Sequence, residues 1–216
     1  DPPILVPLPP GEVEDRIGGL YTRYLDTLPL DCALLLARYS FRGAAHRVVG
    51  VGSVGTRSLL ILLESGDSEP LLLQLKQAGP SVYESHLGPS QHDSHGARVI
   101  AGKRALQSAT DIFVGWGSFQ GRDYYVRQFR DMKIVPDIEL LAPVLVEFAT
   151  ACGETLARAH ARSGDAVAIS AYLGKGSQFA TALCDFARLY ADQNERDHAQ
   201  LERAIAAGTV ASAPGW

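Results

Sequence analysis

The sequence is short of cysteine, of net charge and of long apolar runs, and each shortage removes a class of protein. Its three cysteines in 216 residues, Cys32, Cys152 and Cys184, are odd in number and widely spaced. That is neither the dense framework of a stapled secreted domain nor the paired spacing of a zinc site. They lie among apolar residues, which predicts small core hydrophobes in a reducing cytoplasm. Lys plus Arg is 20 against Asp plus Glu at 24, a net charge of −4. No global positive field therefore draws the chain to nucleic acid or to an anionic membrane. The longest uninterrupted apolar runs, around Leu59–Leu63 and Leu140–Val146, fall far short of the ~20 residues that cross a bilayer. No basic stretch leads into a hydrophobic segment as in a secretory signal, and the start at Asp1-Pro2-Pro3 reads as processed or truncated.

What is present is core-forming material. Hydrophobic residues are 46% of the chain and charged ones 20%, with 21 Gly and 12 Pro, the balance of a globular protein. Residues 1 to 12 hold five prolines and predict an extended arm. Apolar positions at helical spacing between Glu14 and Arg42 predict two short helices, the second opened by Pro29 and running from Leu30 to Tyr39. From Arg47 the pattern changes to short runs bounded by Gly, Asp and Pro: Val48-Val49, Ser58 to Glu64, and Leu71 to Lys76. These predict a three-stranded antiparallel unit. Ser94 is placed to cap a helix reaching about Ser108. Asp111 to Gly117 and Asp123 to Phe129 then predict two more strands. After residues 130 to 136 the sequence is helical. Leu145, Phe148, Cys152, Leu156 and Ala159 mark one expected buried stripe, and the segments Ser177 to Tyr190 and Glu195 to Ala207 carry others. The expected fold is α+β: residues 1–130 form an arm, a helix pair and a five-stranded, mostly antiparallel sheet lobe with an inserted helix, and residues 131–216 an all-helical lobe.

The sharpest local feature is Gly50-Val51-Gly52-Ser53-Val54-Gly55, a GxGxxG following a strand. Such a loop lets backbone N–H groups approach a phosphate, and Ser53 can add a hydroxyl. In a dinucleotide fold it would open a helix, but Thr56 to Leu63 is of strand length and leaves little room for one. In a kinase-type hairpin the glycines join two strands over ATP phosphates, and a lysine on the third strand pairs with phosphate oxygens. Lys76 ends the third run and suits that role. Glycines that merely shape a tight hairpin, and a strand-end lysine reaching solvent, remain the plain alternatives.

Several separated blocks carry a family resemblance: Val48 to Arg57, Leu73-Gln74-Leu75-Lys76, Pro80-Ser81-Val82-Tyr83-Glu84, Gly121 to Gln128, Leu156 to Asp165 and Tyr190 to Asp197. With these the chain resembles the bacterial DUF2252 proteins, a family of unknown function related to the protein-kinase-like fold, over roughly residues 15 to 207. The resemblance implies a kinase-like fold and a nucleotide cleft built by Gly50, Gly52, Ser53, Gly55 and Lys76, with ATP and Mg²⁺ as the ligand. Members of the family normally also carry, upstream, a Gly-Asp-x-His-x-x-Asn-like and an Asp-Phe-Asp-like motif, which resemble a catalytic loop and a metal-binding aspartate. Neither occurs here. The resemblance therefore makes this chain the later part of the fold, a nucleotide-binding domain whose phosphotransfer requires a protein partner or an upstream segment to complete the cleft. The alternative is a non-catalytic structural or protein-interaction domain.

Other residues suit bland roles better. The position five after Asp165, where a kinase catalytic loop needs Asn, is Ser170, so Asp165 reads as a helix cap and His160 as a packing or capping histidine. Asp185 sits inside a helical stripe. His86, His92, Asp93 and His95 lie in a polar loop, and Asp192, Asn194, Glu195 and Asp197 read as a solvated helix start rather than a Mg²⁺ site. A kinase helix after the lysine strand offers that lysine a glutamate, but residues 94 to 109 contain none, which leaves Glu84 as the nearest acid.

Overall fold

A computed structural model describes residues 4–48, 50, 55–129 and 137–212. It divides into two compact units, Asp1–Ser163 and Gly164–Trp216. The first unit is built on β1 (Leu5–Pro7), β2 (Tyr39–Arg47), β3 (Ser58–Ser65), β4 (Pro70–Ala78), β5 (Gly115–Phe119) and β6 (Arg122–Gln128). All pairs are antiparallel, in the order β1-β2-β3-β4-β6-β5. Its helices are α1 (Pro10–Leu25), α2 (Leu30–Leu36), α3 (Glu84–Leu87), α4 (His95–Leu106), α5 (Ile138–Leu141) and α6 (Leu145–Ser163).

The architecture is α+β, but the sheet has six strands rather than five. The proline-rich arm supplies the sixth, because Leu5, Val6 and Pro7 pair with Arg47, His46 and Ala45 at a sheet edge, where proline's missing donor costs no ladder bond. β2 also begins well before Arg47. Tyr39 to Arg47 holds glycine, two alanines and charges, a poor strand composition, and it is drawn into the sheet by pairing with β3. The second helix accordingly stops at Leu36 instead of running to Tyr39.

The alternation along β4 organises the core. Leu71, Leu73 and Leu75 face α1 and meet Ile61, Leu63, Tyr124 and Val126 from the neighbouring strands and Ile17, Leu20 and Tyr24 from the helix. The β5 end of the sheet is held between α1 on this face and α4 on the other, at separations that admit no side chain. A Cβ on Gly115 would lie 2.9 Å from the Tyr24 ring, and one on Gly117 3.0 Å from the Leu20 carbonyl oxygen. A Cβ on Gly96 of α4 would overlap the Tyr124 carbonyl oxygen and lie 2.9 Å from Trp116 Cβ. α4 has its expected cap, with Ser94 Oγ accepting from Ala97 N–H at 3.0 Å.

The apolar stripes of the later helices are a correction. Phe148 and Leu156 on α6 are 40% and 61% exposed, and Cys152 is exposed. The helical stretch Glu139–Ser163, which contains an 18-residue window of mean hydropathy 1.4, is long and apolar enough to cross a membrane by length and composition. Counting uninterrupted runs passes over it because Glu147 and Glu154 break the run. In the second unit, α7 (Ala166–Leu173) is capped by Asp165, whose Oδ1 accepts from Val167 and Ala168 N–H, as the sequence suggested. α8 (Ser177–Ala206) is one 30-residue helix, not two segments. Its stripe of Phe179, Leu183, Phe186 and Leu189 is exposed, and so is Cys184. Of the three cysteines only Cys32 is a buried core residue, and all three are free thiols.

Replacing Gly96 by Ala forces α4 off the sheet and is expected to destabilise the protein by about 1–3 kcal/mol. Ala at Gly102, on the same helix with nothing within 4 Å of its Cβ position, is expected to stabilise slightly. Urea titrations of the two variants check the contrast.

Candidate functional site

The hairpin β2–β3 carries the glycine sequence. Gly50 and Gly55 bracket it, while Gly52 and Ser53, with Val51 and Val54, lie outside the described residues. Gly55 has φ +81°, a left-handed conformation that favours glycine, and its Cβ position is open. The base of the hairpin is tied to the next strand by a reciprocal pair: Gln77 N–H donates to the Arg57 carbonyl at 2.9 Å, and Arg57 N–H donates to Gln77 Oε1 at 3.2 Å. These bonds fix the register that sets Lys76 opposite Ser58 on β3 and Tyr125 on β6.

Lys76 therefore stands next to the glycine hairpin on the sheet face opposite α1. Its surroundings are cationic. Gln74, two residues back and on the same face, is 1% exposed. Its Oε1 accepts from both Arg127 Nε (3.2 Å) and Nη2 (2.9 Å), and its Nε2 donates to Ser58 Oγ (3.3 Å). A buried amide satisfied in this way cannot rotate without losing several hydrogen bonds, so Arg127 is held at the sheet surface opposite Gln74. Arg47, at the end of β2, stacks its guanidinium 4.6 Å from the centroid of the Phe129 ring. Burial pushes the Lys76 ammonium below the ordinary lysine range, and the positive charges of Arg127 and Arg47 push it further the same way. The Tyr125 phenol, beside Lys76, is raised by burial, an effect that Arg127 partly opposes.

No acid answers these charges from the inserted helix. Arg98 donates to the Gly79 carbonyl, Arg104 donates to the Val114 carbonyl, and Lys103 pairs with Asp111 at 3.5 Å. Glu84 is engaged elsewhere: its carboxylate accepts from Ser81 N–H at 2.9 Å and caps the turn into α3. Among the described residues no acid is paired with Lys76, Arg47 or Arg127, of which Lys76 and Arg47 are half-buried and Arg127 is exposed; grouped on one face beside an open glycine, they form an arrangement that attracts an anionic ligand. Two larger cavities, of about 470 and 570 Å³, open instead at the far end of the sheet near Trp116, Arg23 and Asp31. Neither is lined by Lys76 or the hairpin.

Of the residues expected from sequence, Gly50, Gly55 and Lys76 come together around the hairpin. His160 is exposed on α6, Asp185 is exposed within α8, and no group of three metal-ligating side chains occurs among the described residues. Sequence reasoning missed Arg47, Gln74 and Arg127. The available signal was a single amide in the run Leu71-Leu72-Leu73-Gln74-Leu75-Lys76, which puts both polar residues of that run on one face.

The family described as "Uncharacterized protein conserved in bacteria (DUF2252)" matches residues 1–204, so the chain belongs to that family. No curated protein and no solved structure matches it.

Because the folded state depresses the Lys76 pKa, the unfolded chain binds the extra proton between the folded value and the usual lysine value, and stability rises with pH across that window. Lys76→Met is thus expected to raise the melting temperature of the unliganded protein at neutral pH. The difference should shrink as pH rises toward the ordinary lysine pKa, as read by thermal unfolding from pH 6 upward.

Proposed function

We propose that this member of the DUF2252 family is an ATP-binding domain of kinase-like construction. The observation that carries the reading is the order of parts. A glycine-bracketed hairpin leads into a third strand bearing Lys76, then a helix, then a strand pair whose second member closes against the lysine strand. A kinase uses that sequence of elements to lay backbone N–H groups and a lysine along a nucleotide's phosphates. The cationic surroundings of Lys76 support the same role, since a phosphate supplies the anion that α4 does not. Gly50, Gly52, Ser53 and Gly55 would contribute backbone and hydroxyl donors, and Mg²⁺ would accompany ATP in any transfer step. Phosphotransfer itself needs a base and metal-holding carboxylates from an upstream segment or a protein partner, because this chain lacks both acidic motifs. The three free thiols suit a reducing cytoplasm.

A second reading, a non-catalytic structural or protein-interaction domain, is favoured by one observation. The inserted helix carries Arg98, Lys103 and Arg104 and no acid, so the lysine–glutamate pair of an active kinase cannot form with it.

Calorimetric titration with ATP separates the two. Binding is expected, and Lys76→Ala should weaken it by about 1.5–3 kcal/mol, roughly ten- to a hundredfold, because a charge-assisted bond to phosphate is lost. No heat at millimolar ATP with the fold intact, or an affinity unchanged by Lys76→Ala, would overturn the ATP reading in favour of the second.

A further inference from the structure

The phosphate end of the proposed cleft holds more positive charge than a lysine alone supplies. Arg47, Lys76 and Arg127 belong to β2, β4 and β6, and their effects converge on one face of the sheet. Each is fixed by a different device. Arg47 lies against the Phe129 ring, Lys76 is set by the Arg57–Gln77 pair, and Arg127 is held by both of its bonds to the buried Gln74. Holding the two guanidinium groups lowers the ordering cost that surface cations normally pay on binding an anion, while the register places the Lys76 position between them. The first acid after Lys76 and the cations of α4 are committed to other partners, Glu84 to Ser81 N–H, Lys103 to Asp111, Arg98 and Arg104 to backbone carbonyls.

We infer that Arg47, Lys76 and Arg127 together bind the polyphosphate chain of the nucleotide as its magnesium-free anion. This inference rests on the ATP reading above and adds the ionic form of the ligand. Three cations grouped on one face neutralise most of the charge on a free triphosphate. Magnesium ATP carries less negative charge and brings a dication against the same three cations, so the metal complex gains less and is repelled more. The planar fork of Arg47 suits adjacent phosphate oxygens, Arg127 offers the guanidinium donors that Gln74 leaves over, and Lys76 can act as a point charge between the two guanidinium groups. The ligand class is a nucleoside triphosphate or another linear polyphosphate, recognised by its phosphate chain.

The test is calorimetric titration of the full chain with ATP in EDTA and in excess MgCl₂, with inorganic triphosphate as competitor. ATP is expected to bind at least about tenfold tighter in EDTA, and triphosphate to displace it. Arg47→Gln leaves the Gln74–Arg127 pair in place and is expected to cut that preference to about threefold or less. Lys76→Gln, a second variant removing charge from the same face, should act the same way, with folding of both checked by thermal unfolding. Equal or tighter binding with magnesium overturns this inference and leaves the ATP reading standing. No binding in either buffer overturns both. A preference for free ATP undiminished in both variants also overturns the inference, because it puts the anion elsewhere.

Discussion

Close backbone approach at the β5 end of the sheet is the constraint on which the rest of the first unit depends. Gly115 and Gly117 admit α1 on one face, and Gly96 admits the sheet to α4 on the other. That approach also brings side chains onto β5 and the residues that lead into it. Thr27 Oγ1 accepts from Trp116 N–H, Arg23 donates to the Ser118 carbonyl, Arg104 donates to the Val114 carbonyl, and Tyr24 Oη donates to the Phe113 carbonyl. Asp123 ties the same region together by accepting from Ser118 Oγ and from His95 N–H at the start of α4. The edge strand is thereby closed to further pairing, and the inserted helix is positioned by backbone geometry rather than by a salt bridge to the lysine strand.

This division of labour frees the centre of the sheet. β4 spends Leu71, Leu73 and Leu75 on the core and keeps Gln74 and Lys76 on the opposite face. The buried Gln74 amide would be costly without partners, and it finds them in Ser58 and Arg127. Packing and candidate chemistry are thus the two faces of a single strand. Shifting its register by one residue would exchange them, and the Arg57–Gln77 pair at the hairpin base opposes that slip.

What was legible in the sequence was local. The leucine-rich runs read as strands because turn residues bound them, Ser94 and Asp165 read as caps because a hydroxyl or carboxylate there meets orphan N–H groups, and the strand position of Lys76 followed from its place after a glycine hairpin. What was missed depends on partners distant in sequence. The arm Leu5–Pro7 and the early half of β2 have strand form only through pairing. The cations Arg47 and Arg127 are 80 residues apart and meet only once β2, β3, β4 and β6 are in register. The stripes on α6 and α8 have helical periodicity, but periodicity says which face is apolar and not what covers it.

The arm strand β1 has a mechanical meaning. Because Leu8 N–H donates to Ala44 and Val48 N–H donates to Ile4, the first leg of the glycine hairpin is an inner strand, laddered on both sides along its final residues. The hairpin is a lever whose fulcrum is bolted down. Swinging the whole of β2 would break two ladders together, so the root stays still under load, and Arg47, seated at that root, keeps its place over Phe129.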